Sequence, residues 1–524
     1  MTAAALGSPG VASGQQPEPT GGTEVVEIYR APRRGPGGTL GFVDVTAEMR
    51  ADDPLVGMRV HATAAADANG DGWSDLFVGT FADRPVVDYQ ARGADGPVPD
   101  RLLLGGPFGF RIDETFPGEL ARTAAVTFAD LDADGDLDLV VGRNVRDGDP
   151  GRAPSRILRN EGGHFVLAAV LDRPRGVRAI GVLDFDGDTR LDLFVVEDRF
   201  TEGSSLLLRN EGGLRFADAT LAAGLPNDVD GLGVSTADLN GDRAPDVFVS
   251  GSNRLFVNQR NGTFREHDVS ATFRWPRFGN EDDPAGVAAH DVDGDGRVDL
   301  VIGQHYNSTV DLERRVPVRL YLNRGSSNKG TPRFRDVTRE AGLRPLSTKA
   351  PQVEVADLDA DGRLDILTTA SAGDAPVIFR QREVRGDIPR FERVGVPRSP
   401  DYWVTAAVLD ADRDGRLDVF LGEWDPGRAS VLLRNRADTG HWLGVTAPPG
   451  TVVELFRPGG LGERPDRIER QEVGTSTGFA SGPATTAWFG LGSRRHVDVR
   501  IVLPTSGEVV TLHRSPTDRL VRLE

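Results

Sequence analysis

The sequence predicts an all-β protein, and three observations carry the prediction. A nine-residue acidic pattern, D-x-[DN]-x-D-G-x-x-D, recurs seven times in 524 residues, with successive starts 53 to 66 residues apart. Between copies the chain runs in short apolar or alternating stretches broken by Gly, Pro and Asn, with no sustained helical period. Each acidic loop leads directly into a run such as Leu139–Val141 or Leu193–Val195, continuous in apolar residues and suited to a strand buried on both faces. Repeated units of about four strands bury their apolar faces only against one another, which is the pattern of a β-propeller. The expected fold is therefore a seven-bladed β-propeller with metal loops, followed by a small C-terminal β domain.

Residues 1–40 are rich in Ala, Gly, Ser and Pro and read as a flexible leader, without the basic start and apolar stretch of a signal peptide. "FVDVT" at 42–46 looks like the last strand of a unit, yet no acidic loop precedes it. The seventh unit lacks such a strand after "LLRN" at 432–435, so strand 42–46 is expected to close the last blade of a region spanning 41–437. Each full unit runs from an apolar strand through the acidic loop, a second apolar strand, a strand ending in Asn such as "ILRN" at 157–160, and an aromatic strand such as "FADAT" at 216–220. From 438 to 524 the repeat stops, and short strands such as "HWLGVTA" and "VDVRIVLP" read as a separate β domain.

Positions one, three, five and nine of the loops are candidate metal ligands. They are Asp67, Asn69, Asp71 and Asp75; Asp130, Asp132, Asp134 and Asp138; Asp184, Asp186, Asp188 and Asp192; and Asp238, Asn240, Asp242 and Asp246. The last three loops supply Asp291, Asp293, Asp295 and Asp299; Asp357, Asp359, Asp361 and Asp365; and Asp410, Asp412, Asp414 and Asp418. Glycine at the sixth position permits the sharp turn that wraps a chain round an ion, and a cage of carboxylate oxygens selects a hard cation, Ca2+ before Mg2+. A hairpin turn would need one Asp, not four at fixed spacing. These are not EF-hands, because the twelfth residue is apolar or Thr, as at Val78, Ile302 and Thr368, where that loop needs a Glu. The loops at Asp184 and Asp238 depart most, with Thr189 and Arg243 in place of the glycine.

Bulk composition fits. Aspartates fill 26 of the 28 ligand positions, and seven divalent cations would bring the net charge from −18 to −4. That charge argues against nucleic acid as a partner. Without cysteine there is neither disulfide nor thiolate chemistry, and no apolar run approaches the roughly 20 residues of a membrane span. "GTSTG" at 474–478 fits G-x-S-x-G around Ser476, but its all-β surroundings make it a Gly-rich turn rather than a nucleophile elbow.

Loops leaving the strand after each acidic site should gather at the opposite end of the ring. They hold Arg84, Arg143, Arg146, Arg199, Tyr306 and Trp424, joined by Trp275 and Arg277 from a loop between units. An axial funnel of Arg and aromatic groups suits a glycan, another oxygen-rich small molecule or a protein ligand. His305 and Glu423 are the pair that could serve as acid and base, were the funnel that of a non-redox lyase or cyclase.

The acidic loops followed by "DLFV", "LLRN" and "FxDVT" resemble the FG-GAP/VCBS repeats of integrin α subunits and bacterial surface proteins. The C-terminal "HWLGV…QEVGTSTGFASG…WFGLG" resembles the ASPIC/UnbV domain, with "LPTSG" at 503–507 where that domain usually carries a Trp-Pro-Ser-Gly-like turn. Together, over about 42–524, the chain is similar to the cartilage acidic protein family and its bacterial relatives. The resemblance implies a seven-bladed propeller with up to seven calcium sites, often secreted or otherwise extracytoplasmic; some bacterial relatives are associated with enediyne-type biosynthesis.

Overall fold

The computed structural model describes residues 23–523, apart from 32–39, 52–54, 146–152, 172, 174–175, 201–202, 276–282, 306–315, 328–329, 347–348, 369–376, 396–401, 439, 476–478, 483 and 505. The repeats form seven four-stranded sheets, each antiparallel throughout. Repeat two is typical, with strands Thr123–Ala129, Asp138–Arg143, Ser155–Asn160 and Phe165–Leu171 in sequential order. The acidic loop is the turn between its first two strands, so the ninth Asp is already the first residue of the second strand. In the seventh repeat, Trp403–Leu409, Asp418–Glu423 and Val431–Asn435 are joined by Phe42–Asp44, paired in register with Leu433–Asn435.

First strands are small and buried, as in VHATAAA at Val60–Ala66 and TAAVTFA at Thr123–Ala129. Small side chains let the first strands of neighbouring repeats pack against one another. Gly142 shows how tight this is: a Cβ there would stand 2.6 Å from Val177 Cγ1 of the next repeat. Leu, Val and Phe of the second and third strands fill the layers between sheets, Phe194, Leu207, Val249 and Phe256 among them.

The sheets are separate. Among the described residues, the β-bridges from one repeat sheet to the next are isolated ones, such as Phe81 with Arg122 and Asn144 with Gly176, and no sheet closes into a barrel. The expectation of a seven-bladed β-propeller is corrected accordingly: the fold is all-β, built from separate four-stranded sheets. The repeat pattern specifies strands within a unit, whereas closure depends on angles between units that no local residue pattern encodes.

Two further four-stranded sheets follow. One comprises Arg467–Glu472, Val452–Phe456, His496–Val502 and Val509–Pro516; the other comprises Val25–Arg30, Arg519–Leu523, His441–Thr446 and Thr486–Gly492. Leu443, Val445 and Phe489 of one sheet share a core with Val453, Leu455 and Ile501 of the other. Val25–Arg30, expected within a flexible leader, is thus a paired strand.

This C-terminal unit lies on the acidic loops. Arg522 meets Asp67 and the Tyr29 hydroxyl meets Asp410. The Asp238 amide donates to Glu472 Oε1 at 3.1 Å, and the Gly492 amide to the Ala360 carbonyl at 3.3 Å. The stretch after Glu472 reaches the first strands themselves, where the Thr63 amide donates to the Ala480 carbonyl at 3.1 Å and the Gly482 amide to the Thr63 carbonyl at 2.9 Å.

A candidate metal centre in the acidic loops

All seven loops share one backbone turn. The sixth-position amide donates to the first-position carboxylate, at 3.1 Å from Gly135 to Asp130, 2.7 Å from Gly296 to Asp291 and 2.9 Å from Gly415 to Asp410. That turn needs a left-handed residue, and Gly135 supplies it at φ 94°. Thr189 and Arg243 hold the same conformation at φ 75° and 72°, and their amides still reach Asp184 at 2.9 Å and Asp238 at 3.0 Å. The departures at the sixth position therefore leave the turn intact.

Five loops bring three carboxylate oxygens within 4.8 Å of one another: Asp130 with Asp132 and Asp138, Asp184 with Asp186 and Asp192, Asp291 with Asp293 and Asp295, Asp357 with Asp359 and Asp361, and Asp410 with Asp412 and Asp418. The Asp184 loop belongs to this set, and the loops at Asp67 and Asp238 do not. In both of those, the third-position Asn donates to the fifth-position carboxylate, Asn69 to Asp71 and Asn240 to Asp242, each at 3.0 Å. An amide in place of a carboxylate thus turns mutual repulsion into a local hydrogen bond.

Several loop oxygens are buried with no hydrogen-bond partner among the described residues, namely Oδ1 of Asp67, Asp132, Asp186, Asp291, Asp359, Asp361 and Asp412. Burial, with neighbouring carboxylates adding to it, pushes Asp291 up to about 7 and Asp361 up to about 6. Buried, converging, unpartnered carboxylate oxygens fit a divalent cation, which would satisfy them and remove the repulsion.

Arginines moderate the charge in a way composition does not reveal. Seventh-position side chains pair with the fifth-position Asp, as in Arg190 with Asp188, Arg297 with Asp295 and Arg416 with Asp414. Third-strand arginines reach third-position carboxylates, Arg380 with Asp359 at 2.5 Å and Arg434 with Asp412 at 2.9 Å.

The ninth Asp has a backbone role in every loop. Asp138 accepts the Leu131 amide on Oδ2 at 3.1 Å and the Asn160 amide on Oδ1 at 3.0 Å. The same pair recurs at Asp192, with Phe185 at 3.1 Å and Asn210 at 2.8 Å, and at Asp418, with Ala411 at 3.1 Å and Asn435 at 2.7 Å. The Asn that ends the third strand then reaches the preceding repeat: Asn210 Nδ2 donates to the Leu131 carbonyl at 2.7 Å, Asn323 to Leu239 at 2.8 Å and Asn435 to Leu358 at 2.6 Å. Sequence reading saw this asparagine recur without seeing its purpose, because its acceptor lies one repeat away.

The described residues among those assigned to an axial funnel are held by varied local contacts. Arg143 is fully buried, its Nη1 2.6 Å from Asp100 Oδ2. Trp275 packs in the core, with the Arg319 guanidinium 4.2 Å from its ring centre. Arg199 pairs with Asp283 at 2.8 Å, and exposed Arg84 lies 3.7 Å from Asp83. Trp424 stands edge-on to His61 and Phe81 at 5.7 and 5.6 Å, while His305 lies 6.1 Å from Phe479. Glu423 is buried and accepts the Asp425 amide at 2.8 Å. Arg146, Arg277, Tyr306 and Ser476 lie outside the described residues. No axial funnel is evident, and the binding-module and lyase or cyclase readings that required one fall with it. Strands continue through Arg143 and Glu423, where the sequence suggested loops.

The comparisons with known proteins agree with the loops. A model described as FG-GAP-like repeat matches residues 67–141, 184–249 and 249–302. Over those segments the chain carries FG-GAP-like repeats. The chain is similar to cartilage acidic protein 1: the Mus musculus protein is 29% identical over 388 residues, 68% of this chain and 56% of the relative. The Homo sapiens protein is 28% identical over 388 residues, 68% of this chain and 55% of the relative. The chain thus spans about half the length of the curated relatives it matches. Xenopus laevis integrin alpha-4 is 32% identical over 162 residues, 29% of this chain and 15% of that one. Among solved structures, the V. cholerae biofilm matrix protein Bap1 covers 92% of this chain and 76% of its own at 14% identity, with a TM-score of 0.31, too weak a likeness to define a common fold.

Proposed function

We propose that the acidic loops bind calcium and that the chain is a calcium-stabilised repeat protein acting outside the cytoplasm. The observation that carries this is the set of buried, unpartnered carboxylate oxygens on Asp132, Asp186, Asp291 and Asp412, recurring in separate repeats. Oxygen-only donors on a flexible loop favour calcium over magnesium, which demands a stricter octahedron. Up to seven sites are available, with the first- and third-position carboxylates as the principal ligands. The ninth Asp ties the loop to its own sheet and is the weaker donor. The loops at Asp67 and Asp238 bind least tightly, because Asn69 and Asn240 already engage Asp71 and Asp242.

The metal's role on this reading is structural. It would hold the loop whose second-position carbonyl receives the next repeat's asparagine, so occupancy would stiffen contacts between repeats. Residues 41–437 form the repeat region and 438–524 an accessory unit of ASPIC/UnbV type. A partner would be a glycan, small molecule or protein, since a net charge of −18 disfavours a phosphate backbone. Isothermal titration of the chelator-treated protein should give several calcium-binding events and weaker ones with magnesium; absence of calcium uptake would overturn the reading.

A further inference from the structure

A cavity of about 740 Å3 lies between the C-terminal unit and the first strands of the repeats. Its volume is in the range of small-molecule sites, roughly 300–1,000 Å3. On the repeat side the wall includes Ala64–Ala66, Ala406 and Ala407; the C-terminal side adds Pro448, Val473 and Trp488. Into this largely apolar space opens Glu354, from the first strand of repeat six, between Val353 and Val355.

Glu354 is unusual among the acids of the wall. Asp67 meets Arg522 and Glu472 meets Arg470. Asp130, Asp134, Asp136 and Asp410 sit in the acidic loops. Glu354 has no basic partner among the described residues. Its Oε1 accepts Gln352 Nε2 at 2.6 Å and Ser481 Oγ at 3.0 Å, both neutral donors, and its Oε2 accepts no hydrogen bond among the described residues. Burial pushes this carboxyl up to about 7. The Ser481 hydroxyl is held in place, because the Ala480 carbonyl and Gly482 amide on either side bond to Thr63 at 3.1 and 2.9 Å. A carboxylate set in an apolar wall without a counter-charge costs free energy that a bound cation recovers.

We propose that this cavity binds a small organic cation, an apolar body carrying a protonated amine whose ammonium meets Glu354. The body lies along the alanine strands and the edge of Trp488, and Oε2 receives the ammonium's N–H. The site stands apart from the calcium reading, since Glu354 belongs to none of the acidic loops.

The test uses the full chain with saturating calcium and dansylcadaverine, a naphthyl amine, read by energy transfer from tryptophan to the dansyl group. Saturable binding is expected, weakened about tenfold or more in Glu354→Gln, the effect of losing one charge-assisted hydrogen bond. The N-acetylated probe, which has the same body without the charge, should bind the unaltered protein about tenfold more weakly. That arm needs no variant and holds even if Glu354→Gln fails to fold. Absence of binding, equal binding of the acetylated probe, or unchanged affinity in a folded Glu354→Gln protein would overturn the proposal. Repeating the titration without calcium separates it from the metal reading: amine binding that appears only when calcium is removed places the probe in the acidic loops and also overturns it.

Discussion

The side chain of Asn160 donates from Nδ2 to the carbonyl of Ala68, 92 residues earlier and inside the acidic loop of the preceding repeat, at 2.6 Å. The same amide also reaches the Leu137 carbonyl of its own repeat at 3.1 Å, and Oδ1 accepts the Gly163 amide at 2.7 Å. One buried side chain therefore joins two loops. Asn160→Ala should cost about 2–4 kcal/mol, since two buried carbonyls lose their donor. Urea unfolding that shifts by less than a few tenths of a kcal/mol would show that water replaces the amide at no cost.

The ninth and third carboxylates should separate in their response to calcium. Asp138→Asn places an amide nitrogen against a backbone N–H from Leu131 or Asn160. It should lose about 2 kcal/mol with or without calcium. Asp132→Asn removes an orphaned oxygen's charge instead and should lower stability only in calcium. Thermal melts of both variants with calcium and with chelator decide; equal behaviour in the two conditions for Asp132→Asn would contradict its place as a ligand.

Chelation should lower the melting temperature of the whole chain, and calcium should restore it better than magnesium. Each occupied site adds about 2.7 kcal/mol at a hundredfold excess over Kd. A melting temperature indifferent to chelator would show that the arginines at the loops already suffice.

Glu354 predicts a pH dependence of definite sign. Its carboxyl, pushed up by burial to about 7 from the ordinary glutamate value of 4.5, contributes stability fully present below pH 4.5 and lost as pH rises through 7. Glu354→Gln does not titrate, so its stability relative to the unaltered protein should climb between pH 4.5 and 8 by on the order of 3 kcal/mol. Melting curves across that range check it, and a difference independent of pH would refute it.

At Gly142, even alanine should cost about 1–3 kcal/mol, because its Cβ would stand 2.6 Å from Val177 Cγ1 and 3.1 Å from the Ala125 Cβ. Chemical denaturation of Gly142→Ala measures the loss; stability equal to the unaltered protein would mean the neighbouring repeats slide apart freely.

The sequence by itself determined the all-β class and the repeated acidic loop with its converging carboxylates. Alternation, turn glycines and carboxylate spacing act over fewer than a dozen residues, and the same local forces shape the loop wherever it occurs. Even Thr189 and Arg243 adopt the left-handed turn, at φ 75° and 72°, because the first-position Asp accepts their amides just as it accepts a glycine's. Only the tertiary structure decided how the sheets stand to one another, that they are separate rather than a closed propeller, and that Val25–Arg30 pairs with Arg519–Leu523 across nearly the whole chain. It alone buried Arg143 against Asp100 and left Glu354 in a cavity with no counter-charge among the described residues. The physical reason is range. Hydrogen bonds and ion pairs between units depend on distances that no residue's neighbours in sequence control, so an arginine destined for a buried pair looks the same on paper as one destined for solvent.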